Sequence, residues 1–515
     1  MPISLITSAS FIDNELAAEF GKLPPSFLPF GHNRLYDLQV EIFGPGAFLT
    51  LPAGYTIPEA DQVRLAKKNV TVIPVPEGLS LAHSVSFALE VIGETPALRI
   101  LHGDTVIYDL PAGLDVLATS DRPEAYDWGA VEGNLHEGAA GHVLAGYFAF
   151  ADGIEFRRQL AKSEGNFVKA VARYGEQRPL RHHEVGTWLD CGHLQTYYRS
   201  RCSMRTQRSF NDLAISFQVV EKRSQNQTKL DNEAAWFNNL PAPLRLYTPA
   251  FLGHTGPKQT PGYALEYLAS PTLHELFVFG DVSEGVWRKI LGSSFKFLHE
   301  AQEIGKSQVN RPAIKQLTVD KTEDRLNTFL KGYDICPRQE WRYKGCPLPS
   351  LHQIAAHAAT LIDMDSMKTL GIMHGDMCFT NMFYDFRTQR IKLIDPRGSV
   401  DGTNPTVLGD SRYDMAKLNH SVVGAYDFIL AGRHRTSGFE TYDCAIEFPE
   451  DSSFKRVNAL TGEFSLQGLR LDDPEVTAIS LHLFLSMLPL HADRPDRQRA
   501  FVANSLRLFA ERIDR

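Results

Sequence analysis

The sequence lacks the features of secreted, membrane-spanning and nucleic-acid-binding proteins. Its six cysteines include no Cys-x-x-Cys pair, so we expect reduced thiols and neither a zinc site nor a disulfide framework. No apolar run is long enough to cross a bilayer, and no basic segment precedes Asp13. A net charge of −8 argues against a general nucleic-acid or anionic-membrane binder. These absences predict a cytoplasmic protein without nucleic-acid partners or membrane insertion. They do not predict whether the protein forms oligomers.

A chain of 515 residues is too long for a single hydrophobic core, and its pattern changes near residue 205. Residues 1–205 alternate between strand and helix. The pattern predicts strands at 3–6, 48–51, 70–74 and 97–101, and helices at 14–20, 59–68 and 81–92. Such alternation indicates an α/β domain with a mostly parallel sheet that is covered by helices.

The rest of the chain predicts a β-rich segment at 206–270 and a helical segment at 271–515. A β run at 213–220 precedes a helix at 230–238, and a further strand covers 263–268. Helices are predicted at 286–302, 321–331, 351–367, 413–430 and 478–488. Residues 432–441 and 452–466 are expected to form irregular surface loops.

The most informative stretch is a polar loop between a predicted helix and a predicted strand pair. Its residues are His374-Gly-Asp376-Met-Cys-Phe-Thr-Asn381, and Asp395 follows the second strand of the pair. This is the His-x-Asp-x-x-x-x-Asn…Asp spacing of kinase catalytic loops. Phosphoryl transfer needs a carboxylate beside the acceptor hydroxyl, and oxygen ligands that hold Mg²⁺ on the nucleotide phosphates. A loop with an adjoining hairpin can bring these three side chains to one point.

At these residues the sequence resembles the aminoglycoside phosphotransferase and choline kinase superfamily. It is most similar to a branch of bacterial capsule and surface-polysaccharide proteins, because Ile394-Asp-Pro-Arg-Gly398 follows the loop. The resemblance implies a two-lobed, protein-kinase-like α+β domain that uses ATP and Mg²⁺. Asp376 would orient or deprotonate the acceptor, His374 would brace the loop, and Asn381 and Asp395 would bind the metal. Asp-Pro-Arg replaces the Asp-Phe-Gly of protein kinases, which favours a small-molecule acceptor.

The resemblance also implies a nucleotide site in the segment 206–270. Lys222 would reach the phosphates and Glu233 would steady it by ion pairing, with Lys229 as the alternative lysine. Backbone groups from Glu266 to Leu268 would bind adenine.

Three further residues of the second segment have expected roles. Asp410 is expected to cap a helix and Asp414 to support the loop structurally, while Arg397 is a candidate anion contact. No glycine-rich loop occurs at 203–211, so the part that clamps the phosphates from above is unassigned.

Residues 1–205 resemble nucleotidyltransferases that make sugar nucleotides. The likeness rests on Pro24-Pro-Ser-Phe-Leu-Pro-Phe-Gly31, Leu101-His-Gly-Asp104 and Trp188-Leu-Asp-Cys-Gly192. It implies that Asp104, at a strand end, and Asp190 bind a metal or a sugar nucleotide. In that family a glycine-rich loop that holds the nucleotide follows the first strand. Here Thr7-Ser-Ala-Ser10 stands in its place without a glycine, and Pro25 stands where the family has lysine. Both readings stay open: an active enzyme, or a fold kept for packing or sugar binding. Asp190 could simply cap a turn.

Together these features predict domains at 1–205, 206–270 and 271–515. The expected function is an ATP- and Mg²⁺-dependent small-molecule kinase of capsule biosynthesis, with nucleotidyl transfer as an open second activity. The acceptor would be a sugar, a sugar phosphate or a polyol. One alternative is a sugar-nucleotide pyrophosphorylase with an accessory kinase domain. The other is a nucleotide-binding regulator or scaffold of polysaccharide assembly.

Overall fold

The computed structural model describes residues 2–93, 95–120, 143–202, 211–256, 261–308, 313–450 and 453–514. The chain splits into two compact units. The first comprises Met1–Met204 with Phe279–Asp281, and the second comprises Arg205–Val278 with Val282–Arg515. Within the described ranges, no helix is both long and apolar enough to span a membrane.

The first unit contains strands and helices in alternation. Its strands are β1 (Ile3–Thr7), β2 (Pro29–Phe30), β3 (Asn33–Arg34), β4 (Phe48–Pro52), β5 (Thr71–Val75), β6 (Leu98–His102), β7 (Thr105–Ile107), β8 (Val116–Ser120), β9 (Val143–Phe150), β10 (Arg181–Glu184) and β11 (Trp188–Asp190). Its helices are α1 (Asn14–Phe20), α2 (Leu35–Phe43), α3 (Glu59–Lys67), α4 (Leu81–Ile92), α5 (Gly153–Ala161), α6 (Phe167–Gln177) and α7 (Leu194–Cys202). The four strands and three helices predicted here are confirmed to within one residue at each end.

A seven-stranded sheet forms the centre of this unit, in the order β10-β8-β9-β6-β1-β4-β5. The pairs β1–β4, β1–β6, β4–β5 and β8–β10 are parallel. Strand β9 was not predicted, and it lies antiparallel to both β6 and β8. The sheet is therefore mixed, with the parallel pairs concentrated where strands and helices alternate along the chain.

The core of the first unit packs helices α4, α5 and α6 against this sheet. Phe148 and Phe150 of β9 contact Phe156 and Phe167, and the Phe150 and Tyr174 rings meet edge to face at 4.9 Å. Burial of each such ring contributes about 1.5–3 kcal/mol, so this aromatic cluster fixes β9 and its two neighbouring helices.

The second unit combines short antiparallel sheets with long helices. Its strands are β12 (Asn211–Ile215), β13 (Val219–Ser224), β14 (Phe251–Thr255), β15 (Gly262–Glu266), β16 (Trp341–Tyr343), β17 (Cys346–Leu348), β18 (Leu370–Ile372), β19 (Met382–Asp385), β20 (Arg390–Leu393), β21 (Leu408–Asp410), β22 (Arg435–Ser437), β23 (Asp443–Glu447), β24 (Ser465–Leu466) and β25 (Leu469–Arg470). Its helices are α8 (Gln227–Asn239), α9 (Leu273–Val278), α10 (Glu284–Gly305), α11 (Ile314–Leu317), α12 (Val319–Gly332), α13 (Leu351–Thr360), α14 (Ser411–Val422), α15 (Tyr426–Leu430), α16 (Ser453–Asn458), α17 (Pro474–Met487) and α18 (Pro495–Leu508).

A four-stranded antiparallel sheet, in the order β12-β13-β15-β14, packs against α8. The β run predicted at 213–220 is in fact a hairpin, because the chain reverses between β12 and β13. Lys222 consequently lies within β13, whereas the predicted run ended two residues before it. Asn226 caps α8 by accepting a hydrogen bond from the Lys229 amide, so the helix begins earlier than predicted.

Several predictions for the helical segment were wrong in their details. The helix expected at 413–430 is divided into α14 and α15, because Ala425 adopts a left-handed φ of 51° between them. The helix expected at 351–367 ends at Thr360, and α18 was missed. The loops expected at 432–441 and 452–466 contain β22, which pairs with β23, and α16.

Two glycines bring the loop-bearing strand β18 directly onto helix α10. A side chain at Gly371 would lie 2.5 Å from the Cα atom of Gln302. One at Gly305 would collide with the backbone of Ile372. Because neither residue has a Cβ atom, strand and helix backbones touch. This contact sets the position at which the polar loop leaves β18.

Candidate active site

The polar loop that follows β18 is fixed through its backbone. The amides of His374 and Gly375 each donate a hydrogen bond of 2.7 Å to the carboxylate of Asp414, which uses both of its oxygens. The Arg397 amide donates to the His374 carbonyl at 2.8 Å. The indole of Trp236 donates to the Met373 carbonyl, also at 2.8 Å. Asp414 on α14 therefore supports the loop as expected, and Asp410 caps α14 by accepting from the Arg412 amide.

Asp376 lies between an amide and a lysine. Its Oδ2 accepts a hydrogen bond from Asn381 Nδ2 at 2.9 Å, and its Oδ1 lies 2.8 Å from Lys417 Nζ. Burial is the largest single effect and would raise the pKa of Asp376. The charge and hydrogen bond of Lys417, with smaller contributions from His374 and Lys229, together lower this pKa to about 2. Asp376 is thus a carboxylate at neutral pH, with 37 % of its side chain exposed.

The sequence predictions missed the ion pair between Lys417 and Asp376. Burial disfavours the charged lysine, yet the neighbouring Asp376 raises the pKa of Lys417 above its ordinary value. A signal was present, since Lys417 lies one helical turn after Asp414 and so faces the same loop.

His374 is completely buried, and burial lowers its pKa to about 4. The Asp376 amide lies 3.3 Å from Nδ1, so Nδ1 accepts and a neutral ring carries its proton on Nε2. The ring meets Trp236 edge to face at 5.4 Å. His374 is therefore a neutral, enclosed imidazole that contacts the loop backbone and Trp236.

Lys222 connects the antiparallel sheet to the hairpin β19–β20. Its Nζ lies 2.6 Å from Glu233 Oε2 on α8 and 3.0 Å from Asp395 Oδ1. Tyr263 donates to the same Glu233 oxygen at 2.8 Å. Burial would lower the pKa of Lys222, but the two carboxylates outweigh it and raise this pKa. The alternative, Lys229, is largely exposed and approaches Glu233 Oε1 at 3.7 Å.

Asp395 and Asn381 are linked through the backbone of the hairpin. The Ile394 amide donates to the Asn381 carbonyl at 3.0 Å, immediately before Asp395. Asp395 has a φ of 56°, a left-handed conformation that turns the chain sharply after β20. Among the described residues, no group of three or more His, Cys, Asp or Glu side chains could hold a metal ion. A cation here would depend on Asp395, the Asn381 amide oxygen and ligand oxygens.

The predicted adenine segment follows β15. The Glu266 amide donates to the Ala250 carbonyl, and the Glu266 carboxylate accepts from the Ala250 amide at 3.0 Å. The Tyr267 amide donates to the Gln218 carbonyl at 2.9 Å. Within the described part of the chain, the Leu268 amide has no hydrogen-bond acceptor. Leu268 thus offers a backbone donor that the sheet does not use.

In the first unit, Asp104 and Asp190 approach each other across the antiparallel pair β7–β11. A side chain at Gly192 would lie 2.8 Å from Asp104 Oδ2 and 3.2 Å from Asp190 Oδ1, so both carboxylates flank this glycine. Burial and the neighbouring Asp104 raise the pKa of Asp190 to about 6. His193 lies beside a different carboxylate, with Nδ1 3.1 Å from Asp13 Oδ2.

The segment after β1, where the nucleotidyltransferases have a glycine-rich loop, is held by side-chain hydrogen bonds. The Ser8 amide donates to Thr50 Oγ1 at 2.9 Å, and Ser8 Oγ accepts from the Ser26 amide at 3.0 Å. Lys22, the nearest lysine before Pro25, lies over the Phe11 ring, 4.0 Å from its centroid.

Comparison with known proteins gives solved structures of low similarity to this chain. No family model matches the chain. No curated protein matches it either. A choline/ethanolamine kinase family protein from Mesorhizobium loti is 11 % identical, covers 62 % of this chain and 94 % of its own, and has a TM-score of 0.33. An apo thermostable mutant of aminoglycoside phosphotransferase APH(4)-Ia is 11 % identical, covers 60 % of this chain and 94 % of its own, and has a TM-score of 0.37.

The inositol-1-phosphate CTP transferase from T. maritima is 13 % identical, covers 37 % of this chain and 89 % of its own, and has a TM-score of 0.29. Scores and identities of this size assign no activity to the chain. Its function is therefore inferred from the geometry of its own side chains.

Proposed function

We propose that the second unit is an ATP- and Mg²⁺-dependent phosphotransferase that acts on a hydroxyl group of a small molecule. The observation that carries this proposal is the position of Lys222, which contacts Glu233 and Asp395 at once. A lysine steadied by a glutamate, next to a carboxylate that can hold a metal, is the arrangement that binds nucleotide phosphates in kinases.

Each residue of the proposed nucleotide site has a distinct task. Lys222 binds the phosphates, and Glu233 holds it in place. The Asp395 carboxylate and the Asn381 amide oxygen fit Mg²⁺, which prefers oxygen ligands and keeps some of its coordination for phosphates and water. Bound Mg²⁺ would neutralise charge on the phosphates. The free amide of Leu268 suits a ring nitrogen of adenine, with Glu266 fixing the strand end that presents it.

Asp376 is proposed to receive a hydrogen bond from the acceptor hydroxyl. Its pKa is lowered to about 2 against the effect of burial, mainly by the charge and hydrogen bond of Lys417, so it is a weak base. It therefore acts mainly by orienting the hydroxyl, which suits a loose phosphoryl-transfer transition state. Asn381 and Lys417 hold the carboxylate from two sides, and neutral His374 keeps the loop rigid.

The assignment to capsule or surface-polysaccharide biosynthesis in the cytoplasm rests on the resemblance at Ile394-Asp-Pro-Arg-Gly398. Gly398 has a φ of 68°, and a side chain there would collide with the backbone of Asn232. The glycine lets this segment touch α8 next to Glu233, so it links the proposed metal carboxylate to the phosphate lysine. A sugar, sugar phosphate or polyol is the proposed acceptor.

The proposed kinase is tested by ATP turnover against sugars, sugar phosphates, polyols and choline. We expect ADP release that depends on one of these acceptors and falls at least about 100-fold in Asp376→Asn. Nucleotide binding without turnover, and equal ADP release by wild type and variant, would support the regulator or scaffold instead.

A second activity is favoured by one observation in the first unit, the approach of Asp104 and Asp190 around Gly192. Paired carboxylates can hold a divalent cation on a nucleoside triphosphate, so we propose nucleotidyl transfer onto a phosphorylated sugar. The experiment measures pyrophosphate release with each nucleoside triphosphate, for wild type and Asp104→Asn. Release that depends on Asp104 would establish it. No release would leave a domain that binds a sugar or a partner.

A further inference from the structure

A group of basic side chains, here called the cation cluster, consists of Lys321, Arg325 and Arg397, of which Arg397 lies next to the loop that carries Asp376. Arg397 is placed by the loop itself. A Cβ atom at Gly375 would lie 2.5 Å from the Arg397 Cβ and 3.1 Å from its Cδ. The arginine side chain therefore runs across the glycine that immediately precedes Asp376.

From Gly375 the Arg397 side chain extends towards helix α14. Its guanidinium carbon lies 6.0 Å from the centre of the Tyr413 ring, and its Nε donates to the Ser399 carbonyl at 2.9 Å. Tyr413 lies one helical turn before Lys417, whose ammonium group contacts Asp376. The guanidinium is thus held near the proposed acceptor hydroxyl, on the side of α14.

Lys321 and Arg325 lie on helix α12, which packs against α17, as helix α14 does. They are one turn apart on one face of α12. Arg325 Nη1 donates to the Ser486 carbonyl of α17 at 3.0 Å, which anchors it. Burial, reinforced by repulsion from Arg397, Arg325 and Lys417, lowers the pKa of Lys321 to about 7. These side chains therefore lie within electrostatic range of one another.

The cluster carries more positive charge than its surroundings neutralise. Across the described ranges, none of Lys321, Arg325 and Arg397 forms an ion pair with a carboxylate. Asp376 is shared with Lys417, and both oxygens of Asp414 are occupied by backbone amides. Half-buried cations that repel one another cost stability unless an anion joins them. Their arrangement therefore fits a site that is completed by a negatively charged ligand.

We propose that the acceptor carries an anionic group, a phosphate or a carboxylate, which Arg397, Arg325 and Lys321 bind while its hydroxyl lies at Asp376. This inference rests on the proposed phosphotransferase function and narrows its substrate class. The phosphates of ATP are a less suitable occupant, because Lys222 and Asp395 already provide for them. A cationic acceptor such as choline would be repelled by the cluster.

The anion site is tested by a label that does not require turnover. Pyridoxal 5′-phosphate and pyridoxal carry the same aldehyde, which condenses with an unprotonated amine and loses water. Borohydride then reduces the imine to a stable adduct. At pH 7 we expect the phosphorylated probe to modify Lys321 at least about tenfold more than pyridoxal does, as measured by peptide mass spectrometry. Lys331, exposed at the far end of α12, is the internal control and should show no such preference.

Two variants and two competitors complete the test. Arg397→Gln and Arg325→Gln should each reduce modification of Lys321 by the phosphorylated probe several-fold, without changing modification by pyridoxal. Hexose phosphates or uronic acids should protect Lys321, whereas the parent hexoses should not. Equal labelling by both probes, or unchanged labelling in Arg397→Gln, would overturn the anion site. Protection by Mg·AMP-PNP alone would assign the cluster to the nucleotide and overturn the acceptor assignment.

The labelling result and the turnover result are separate. A cluster that binds anions in a protein without ATP turnover would refute the phosphotransferase and keep the anion site. A kinase that turns over neutral acceptors better than their phosphorylated or carboxylated counterparts would keep the phosphotransferase and refute the anionic acceptor.

Discussion

The ammonium group of Lys417 lies 2.8 Å from Oδ1 of Asp376, and 12 % of the lysine side chain is exposed. This contact helps to keep the carboxylate charged. Burial alone would raise the pKa of Asp376, but Lys417, with smaller contributions from His374 and Lys229, lowers it to about 2. The pair is formed between the loop and helix α14, so the charge of Asp376 depends on the packing of that helix.

The first prediction concerns this pair. Lys417→Met should raise the pKa of Asp376 towards or above the ordinary carboxyl value of about 3.9, because the main contribution that opposes burial is then lost. The acid limb of the kcat/KM profile should move to higher pH. Lys296→Met, a change at an exposed position on α10, is the matched control and should leave the profile in place. An unmoved acid limb in Lys417→Met would contradict the pairing.

The second prediction concerns the metal. Asp395→Ala should weaken Mg²⁺-dependent nucleotide binding strongly, because a hard cation loses an anionic oxygen ligand. Asn381→Ala should act in the same direction but less, since the lost ligand is neutral. Calorimetric titration of AMP-PNP with and without Mg²⁺ measures both effects, with Asp324→Ala on the exposed face of α12 as control. Equal Mg²⁺ dependence in wild type and Asp395→Ala would remove Asp395 from the metal site.

The third prediction concerns Asp414 as a positioning residue. An asparagine has one acceptor oxygen where the carboxylate uses two, so Asp414→Asn leaves the His374 or the Gly375 amide without a partner. A buried unsatisfied donor costs about 1–3 kcal/mol. We expect a lower Tm and a lower kcat, while the Kd for AMP-PNP stays near the wild-type value. Loss of nucleotide affinity in parallel with kcat would point to general unfolding instead.

The fourth prediction is a pH dependence of stability. Burial and then the nearby Arg397, Arg325 and Lys417 lower the folded-state pKa of Lys321 to about 7, whereas Asp376 acts in the opposite direction. Between this value and the ordinary lysine pKa of about 10.4, the unfolded state binds the extra proton, so stability rises with pH. Below pH 7 the folded protein carries the full cost of the charge.

Lys321→Met should therefore raise the Tm more at pH 6 than at pH 10. Differential scanning calorimetry at both values, with Lys331→Met as the exposed control, measures the difference. A gain that is the same at both pH values would show that Lys321 is not destabilised by its charge.

The parts of the site that could be predicted from sequence are those that lie close together along the chain. His374, Asp376, Asn381 and Asp395 belong to one loop and one hairpin, so their spacing already restricts where their side chains can meet. Lys222 and Glu233 lie on consecutive elements, β13 and α8, and their ion pair was expected from the resemblance to kinases.

The contacts that were missed join elements that are far apart in sequence. Lys417 reaches Asp376 from α14, and Lys321 and Arg325, on α12, are within electrostatic range of Arg397. Hydrophobic periodicity predicts that a helix has a buried face, but it does not say which loop that face meets. Strand β9 was missed for a related reason, because an antiparallel strand between β6 and β8 is defined by its partners and not by its own pattern.

Lys222 lies between two carboxylates, and this has a thermodynamic consequence for the proposed ligands. A divalent cation held by Asp395 would compete with Lys222 for that carboxylate and leave the lysine with Glu233 as its ion-pair partner. The ammonium group would then be available to the phosphates of the nucleotide. Metal and nucleotide should therefore bind with positive cooperativity, and each should increase the affinity of the other by the same factor.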